Sequence, residues 1–218
     1  MRLYLVRHGE TYGNINRILD TAHPGTALTE TGWQQVNDLV GHLADTGIGA
    51  IFSSDLTRAV QSATPLATRL GLAVNARANL REIQAGELEG ETSAAAYQTF
   101  KETVESWVAG ELQRTLGGPA GETGSSVLCR VDAAIQEIES LNVPVAAIFA
   151  HGSLITYWTA MRGQGISIEY LRRHPHNGGW VVLEGTLDTG YHAQYWMGQE
   201  VVPGEGTPSP GIGLVAPC

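Results

Sequence analysis

Only two cysteines occur in 218 residues, Cys129 and Cys218, far apart in the chain. Neither a disulfide framework nor a metal-ligand spacing can be assembled from them. Charge is sparse, with 16% charged residues and a formal net charge of -9, and no basic run or basic–aromatic stripe occurs. That pattern argues against nucleic acid and against an anionic membrane as partners. Long apolar runs are also missing. Leu3 to Val6 is all that precedes Arg7, too little for the apolar region of a signal peptide, and no stretch approaches a transmembrane helix. A cytoplasmic protein is expected.

What is present is enough for one sizeable core. Hydrophobic residues make up 43% of the chain, a globular composition. A single domain over 1–202 is expected, followed by a Pro/Gly-rich tail over 203–218 without periodicity. The net negative charge would repel a phosphorylated substrate, so any anion site must be a local cluster of arginines acting against the global field.

The organising stretch is Leu3-Tyr4-Leu5-Val6-Arg7-His8-Gly9-Glu10-Thr11. A run apolar throughout reads as a strand covered on both faces. It stops at Arg, His and Gly, as a buried strand does when it opens into a loop at a sheet's carboxyl edge, where open α/β sheets bind ligands. The pattern recurs where Val145 to Ala150 runs into His151-Gly152. The two histidines are expected to face one another across one phosphate-sized site.

Between these strands the pattern alternates. Gly9 to Ala27 reads as a loop. Thr29 reads as a helix cap before Trp33, Val36, Leu39, Val40 and Leu43 at helical spacing. Ala50 to Phe52 is a short strand, and Ser54 or Asp55 is expected to cap a helix carrying Leu56, Ala59, Val60, Ala63, Leu66, Ala67 and Leu70 inward. Arg58 falls in that helix's first turn, unfavourable for the helix dipole unless an anion lies nearby. Leu72 to Val74 reads as a strand and Leu80 to Glu91 as a loop. Tyr97, Phe100, Val104 and Trp107 form a helical stripe, more in keeping with core than with a pocket wall. Helices are expected within Gly121 to Ser140 and from Leu154 to Met161, with a closing hairpin from Trp180 to Leu183 and Tyr191 to Trp196.

A histidine at a strand end can be a nucleophile, an acid or base, a metal ligand or a satisfied structural group. Arg7 and Arg58 shift the balance, because a guanidinium offers a planar donor fork matched to phosphate oxygens. Alone, each would read as a surface ion-pair partner and Glu82 as one of their counter-charges. Glu87 and Glu89 read as loop solvation, His23 and His42 as surface residues, and His174 and His176 as a solvated loop rather than a metal pair.

Arg7-His8-Gly9-Glu10-Thr11 with Asn14 resembles the defining motif of the histidine phosphatase superfamily, the phosphoglycerate mutase-like family. Leu28 to Gln35 resembles its next block, and Ser53 to Ala59 the block carrying its second arginine. Leu80-Arg81-Glu82 with Gly86 to Gly90 is similar to its acid loop, Gly118 to Thr123 to its Gly-Glu-Ser/Thr segment, and Ala150-His151-Gly152 to its second histidine. Six blocks in family order are far more specific than one short motif.

The resemblance implies a three-layer α/β/α sandwich with a mostly parallel central sheet. It implies a histidine acid phosphatase-type, metal-independent phosphomonoesterase acting on a small phosphorylated substrate, with no cofactor. His8 would carry the phosphoryl group. Arg7, Arg58 and His151 would hold its oxygens, and Asn14 would add a polar contact. Glu82 would protonate the leaving oxygen and later take a proton from water. Losing one such oxygen donor typically costs about 3–4 kcal/mol.

A phosphoglycerate mutase-type transferase is the alternative. It would need a lid with extra basic residues, and only Lys101, Arg114 and Arg130 lie between Glu82 and His151. Ile83 to Gly86 departs from the aromatic, basic context of the glycolytic mutases, and Ser153-Leu154-Ile155 lacks their arginine; these departures favour hydrolysis. A metallohydrolase using His8, His151 and Glu82 is opposed by the two arginines, and a non-catalytic phospho-ligand module by the complete set of three. The substrate's identity and a homodimer are left open.

Overall fold

The computed structural model describes residues 1–119, 121–164, 166 and 175–201. The tail from 203, with Cys218, and His174 lie outside the described residues. In chain order the strands are β1 (Arg2–Arg7), β2 (Ala50–Ser54), β3 (Val74–Arg77), β4 (Val145–Ala150), β5 (Gly163–Gln164), β6 (Trp180–Thr186), β7 (Gly190–Trp196) and β8 (Gln199–Glu200). The α-helices are α1 (Tyr12–Ile15), α2 (Glu30–Leu43), α3 (Thr57–Leu70), α4 (Ala94–Val108), α5 (Gly124–Ser140) and α6 (Gly152–Arg162).

The strands form one sheet in the order β3-β2-β4-β1-β6-β7-β5, with β8 pairing β7. β3, β2, β4 and β1 run parallel, while β6 is antiparallel to β1 and its hairpin partner β7 closes that side. Side chains alternate across a strand, and the apolar run of β1 divides accordingly. Leu3 and Leu5 join a cluster with Phe52, Ile148, Val181 and Leu183 under α4, α5 and α6. Tyr4 and Val6 join Ile51, Ala147, Phe149 and Val182 under α2 and α3. The sheet is covered on both faces, a three-layer α/β/α arrangement, and no described helix is long and apolar enough to cross a membrane.

Four local readings change. The stretch after Gly9 contains the short helix α1, closed by a capping box in which Thr11 and Asn14 exchange side-chain-to-backbone hydrogen bonds. Thr29 caps α2 as expected, accepting from Gly32 N, but neither Ser54 nor Asp55 caps α3. Leu56 occupies that position without a side-chain bond. Asp55 is instead held bidentately by Arg81, and the carbonyl of Pro24 accepts from Thr57 N. Leu72 is not in a strand: its N–H closes the end of α3 onto Ala67 O around left-handed Gly71, so β3 begins two residues later. In the α4 stripe Phe100 and Trp107 are core, while Tyr97 is exposed.

Candidate active site

Register brings the two histidines together. β1 and β4 are parallel neighbours with Arg7 opposite Ala150, so the next residue of each strand, His8 and His151, emerges at the same level. Adjacent strands lie about 4.8 Å apart, and the two imidazole centroids are 5.3 Å apart. β2, the next parallel strand, leads into α3 and delivers Arg58, while Glu82 follows β3. All four groups come from the carboxyl ends of parallel strands, where ligands bind in such sheets.

Arg58 organises the centre. Its Nε donates toward His8 Nε2 at 3.1 Å and His151 Nδ1 at 3.3 Å. Both nitrogens must therefore be acceptors, which fixes two opposite tautomers. His8 carries its proton on Nδ1 and donates it to Gly9 O at 2.7 Å, leaving the Nε2 lone pair toward the site. His151 carries its proton on Nε2, a buried donor without a partner among the described residues, like Arg7 Nε. His8, Arg58 and His151 are 3%, 3% and 0% exposed. Burial, then Arg58, pushes the pKa of each imidazole well below the ordinary histidine value. Burial also lowers Arg7 and Arg58, with Glu82 opposing it at Arg7 and Asp20 at Arg58; guanidinium groups nonetheless stay charged.

The anion that the dipole argument asks for beside Arg58 is Asp20, absent from the sequence reading. Its carboxylate lies 3.3 Å from Arg58 Nη1, and its carbonyl accepts from Nη2 at 2.8 Å. Gly25, at φ 71°, permits this approach: a Cβ there would stand 2.5 Å from Arg58 Nη1. Gly152 likewise admits Arg7, whose Nε would lie 3.2 Å from an added Cβ. Gly9 packs on the first turn of α2, where its Cβ would meet Gly32 O at 2.5 Å.

Glu82 sits at the N-terminus of α6. Its Oε1 accepts from Ile83 N at 2.9 Å and Leu154 N at 2.8 Å, and its Oε2 from Ser153 N at 3.1 Å. The acid loop is braced by Arg130, which donates to the carbonyls of Asn79, Arg81 and Glu82 and pairs with Glu122. Glu89 is more than loop solvation: its carboxylate accepts from the N–H groups of Thr21 and Ala22, tying the acid loop to the Asp20 loop. Asn14 reaches the site edge, its Oδ1 accepting from Thr11 N and from Asn177 Nδ2.

No local pattern marks Asp20, Arg130 or Asn177, because each acts on groups distant in sequence, and nothing within the Gly118 to Thr123 block signals the pairing of Glu122 with Arg130. The one local signal was the arginine in the first turn of α3, which called for an anion but not for a particular one.

The family model described as "Histidine phosphatase superfamily (branch 1)" matches residues 3–196. PE-PGRS family protein PE_PGRS11 of Mycobacterium tuberculosis is 32% identical over 219 residues, covering 91% of this chain but 36% of that protein. Probable phosphoglycerate mutase GpmB of Escherichia coli is 32% identical over 143 residues, 65% of this chain and 64% of that protein. The chain thus spans about a third of the first of these relatives and under two thirds of the second. Among solved structures, mycobacterial glucosyl-3-phosphoglycerate phosphatase Rv2419c in complex with VO3 superposes with a TM-score of 0.72 at 26% identity, covering 90% of this chain and 98% of that one.

Proposed function

The chain belongs to branch 1 of the histidine phosphatase superfamily, and from that premise we propose that it hydrolyses small phosphomonoesters through a phosphohistidine at His8. The observation that carries this reading is the buried donor set around one unprotonated imidazole nitrogen. His8 Nε2 is kept unprotonated, while Arg7 Nε and His151 Nε2, in the same cluster, are buried N–H groups without partners among the described residues. Such donors are costly to bury unless an acceptor arrives, and phosphoryl oxygens satisfy them.

In the first half-reaction His8 Nε2 attacks phosphorus and the bond to the ester oxygen breaks. Glu82 gives that oxygen a proton. Oε2, with one N–H donor against two on Oε1, is the oxygen freer to carry it. Arg7, Arg58, His151 and the free amide of Asn14 hold the transferring group, with Arg58 turning its donors from the imidazoles to the phosphoryl oxygens. In the second half-reaction water attacks the phosphohistidine, Glu82 takes its proton, and inorganic phosphate leaves.

Metal independence is supported by the Arg58 guanidinium, which occupies the hydrogen-bonding reach of both imidazoles where a cation would need their lone pairs. The mutase alternative has a specific basis in the similarity to GpmB. Against it, of the three basic residues between Glu82 and His151, Arg130 is held by Glu122, and Lys101 and Arg114 are exposed beside Glu105 and Glu111.

The test is a panel of phosphomonoesters, including sugar phosphates and phosphoglycerates, with a mutase assay alongside and chelator in one arm. Phosphate release that survives chelator and disappears in His8→Ala is expected. Full turnover in His8→Ala, or phosphoglycerate interconversion without net hydrolysis, overturns the proposal.

A further inference from the structure

The segment Pro175 to Gly179 lies against the nucleophile loop from more than 160 residues away. Pro175 O accepts from Arg7 Nη1 at 2.7 Å. Gly178 N donates to the carbonyls of Arg7 and His8, both at 3.1 Å. Asn177 contributes the one side chain among these contacts, its Nδ2 donating to His8 O at 3.2 Å and to Asn14 Oδ1 at 3.0 Å.

The two amide orientations are fixed by backbone groups that have no choice of role. Thr11 N–H can only donate, and it points at the Asn14 amide at 3.1 Å, so that end of Asn14 is the oxygen. His8 C=O can only accept, so the end of Asn177 facing it is the nitrogen. The Asn177–Asn14 bond then follows with the correct polarity. With Oδ1 of Asn14 taken by two donors, its Nδ2 is the amide atom left over, and it has no partner among the described residues. An amide can flip at little cost in shape, but flipping Asn14 would face two N–H donors with an NH2 group.

We propose that Asn177 is a positioning residue, which locks the Asn14 amide so that its N–H group is presented to the phosphoryl group bound at His8. This rests on the phosphohydrolase reading of the site. It also assigns a purpose to a loop whose histidines suggested only solvation or a false metal pair.

The test is a double-mutant cycle of Asn14→Ala and Asn177→Asp, read both as kcat/KM and as the affinity for inorganic vanadate. Asp keeps the shape of Asn177 but cannot donate to Asn14 Oδ1. A hydrogen bond to a charged group typically carries about a tenfold to hundredfold effect. Asn14→Ala and Asn177→Asp are each expected to lower vanadate affinity and kcat/KM by about that factor. In the Asn14→Ala background Asn177→Asp should cost less than about threefold. Multiplicative losses in the double variant, or losses that track a fall in Tm, overturn the proposal. If Asn177→Asp does not fold, Asn177→Ser carries the same cycle.

The two readings separate. Coupled vanadate binding without turnover of any phosphoester removes the hydrolase and supports the positioning role. Turnover with multiplicative losses does the reverse, and neither vanadate binding nor turnover removes both.

Discussion

Acidification should destabilise this fold well above the range in which its carboxylates titrate. His8 and His151 are buried and neutral, and burial and Arg58 hold both far below the histidine value of 6.5. In the unfolded chain both titrate near 6.5. Below that pH the unfolded state binds two protons that the folded state does not, so stability is fully present above 6.5 and is lost as pH falls toward the folded values. Each histidine contributes about 1.4 kcal/mol of loss between pH 7.5 and 5.5, so the pair contributes about 2.7 kcal/mol, a large share of an ordinary domain's stability. Asp55 and Glu137, whose pKa values are lowered by Arg81 and Arg77, lose their contributions only nearer pH 4. Equilibrium denaturant unfolding at pH 7.5, 6.5 and 5.5 measures the slope. His8→Asn keeps a donor for Gly9 O and His151→Asn an acceptor for Arg58, and each should remove about half of it. A stability that is flat over this window, or a slope unchanged in both variants, refutes the assignment of two buried neutral imidazoles.

Three further outcomes follow from packing and placement. Gly32→Ala puts a Cβ 2.1 Å from Glu10 O, backbone against backbone, so a loss of about 1–3 kcal/mol is expected, read as a lower denaturation midpoint together with lost turnover. Arg130→Gln releases the carbonyls of Asn79, Arg81 and Glu82. A displaced Glu82 should lower kcat by about a hundredfold with a smaller change in KM; an unchanged kcat would show that Glu82 is held without it. Glu82→Gln should slow alkyl phosphates at least tenfold more than nitrophenyl phosphate, since only the poor leaving group needs the proton. Equal losses on both would remove the acid role.

Turn and helix signals were readable where the determinant is local. The cap at Thr29 needs only a hydroxyl and the N–H three residues on, and the inward face of α5, with Val127, Val131, Ala134, Ile135 and Ile138, needs only its own period. The readings that changed involve a competitor elsewhere. Asp55 looked like a cap but has a stronger partner in Arg81, 26 residues away. Leu72 looked like a strand but its N–H is used to close α3.

The same division runs through the site. By itself the sequence determined the inventory: which side chains carry a lone pair, a proton or a fixed positive charge, and that His8 and His151 each end a buried strand. Only the tertiary structure decided how those groups are arranged. The Arg7–Ala150 register sets the two rings side by side, Arg58 between them dictates opposite tautomers, and Asp20 and Asn177 hold Arg58 and Asn14 in place. The reason is physical. A strand's apolar pattern and a side chain's pKa class are local properties. Proton position and donor direction depend on partners that the chain brings within about 3 Å only by folding.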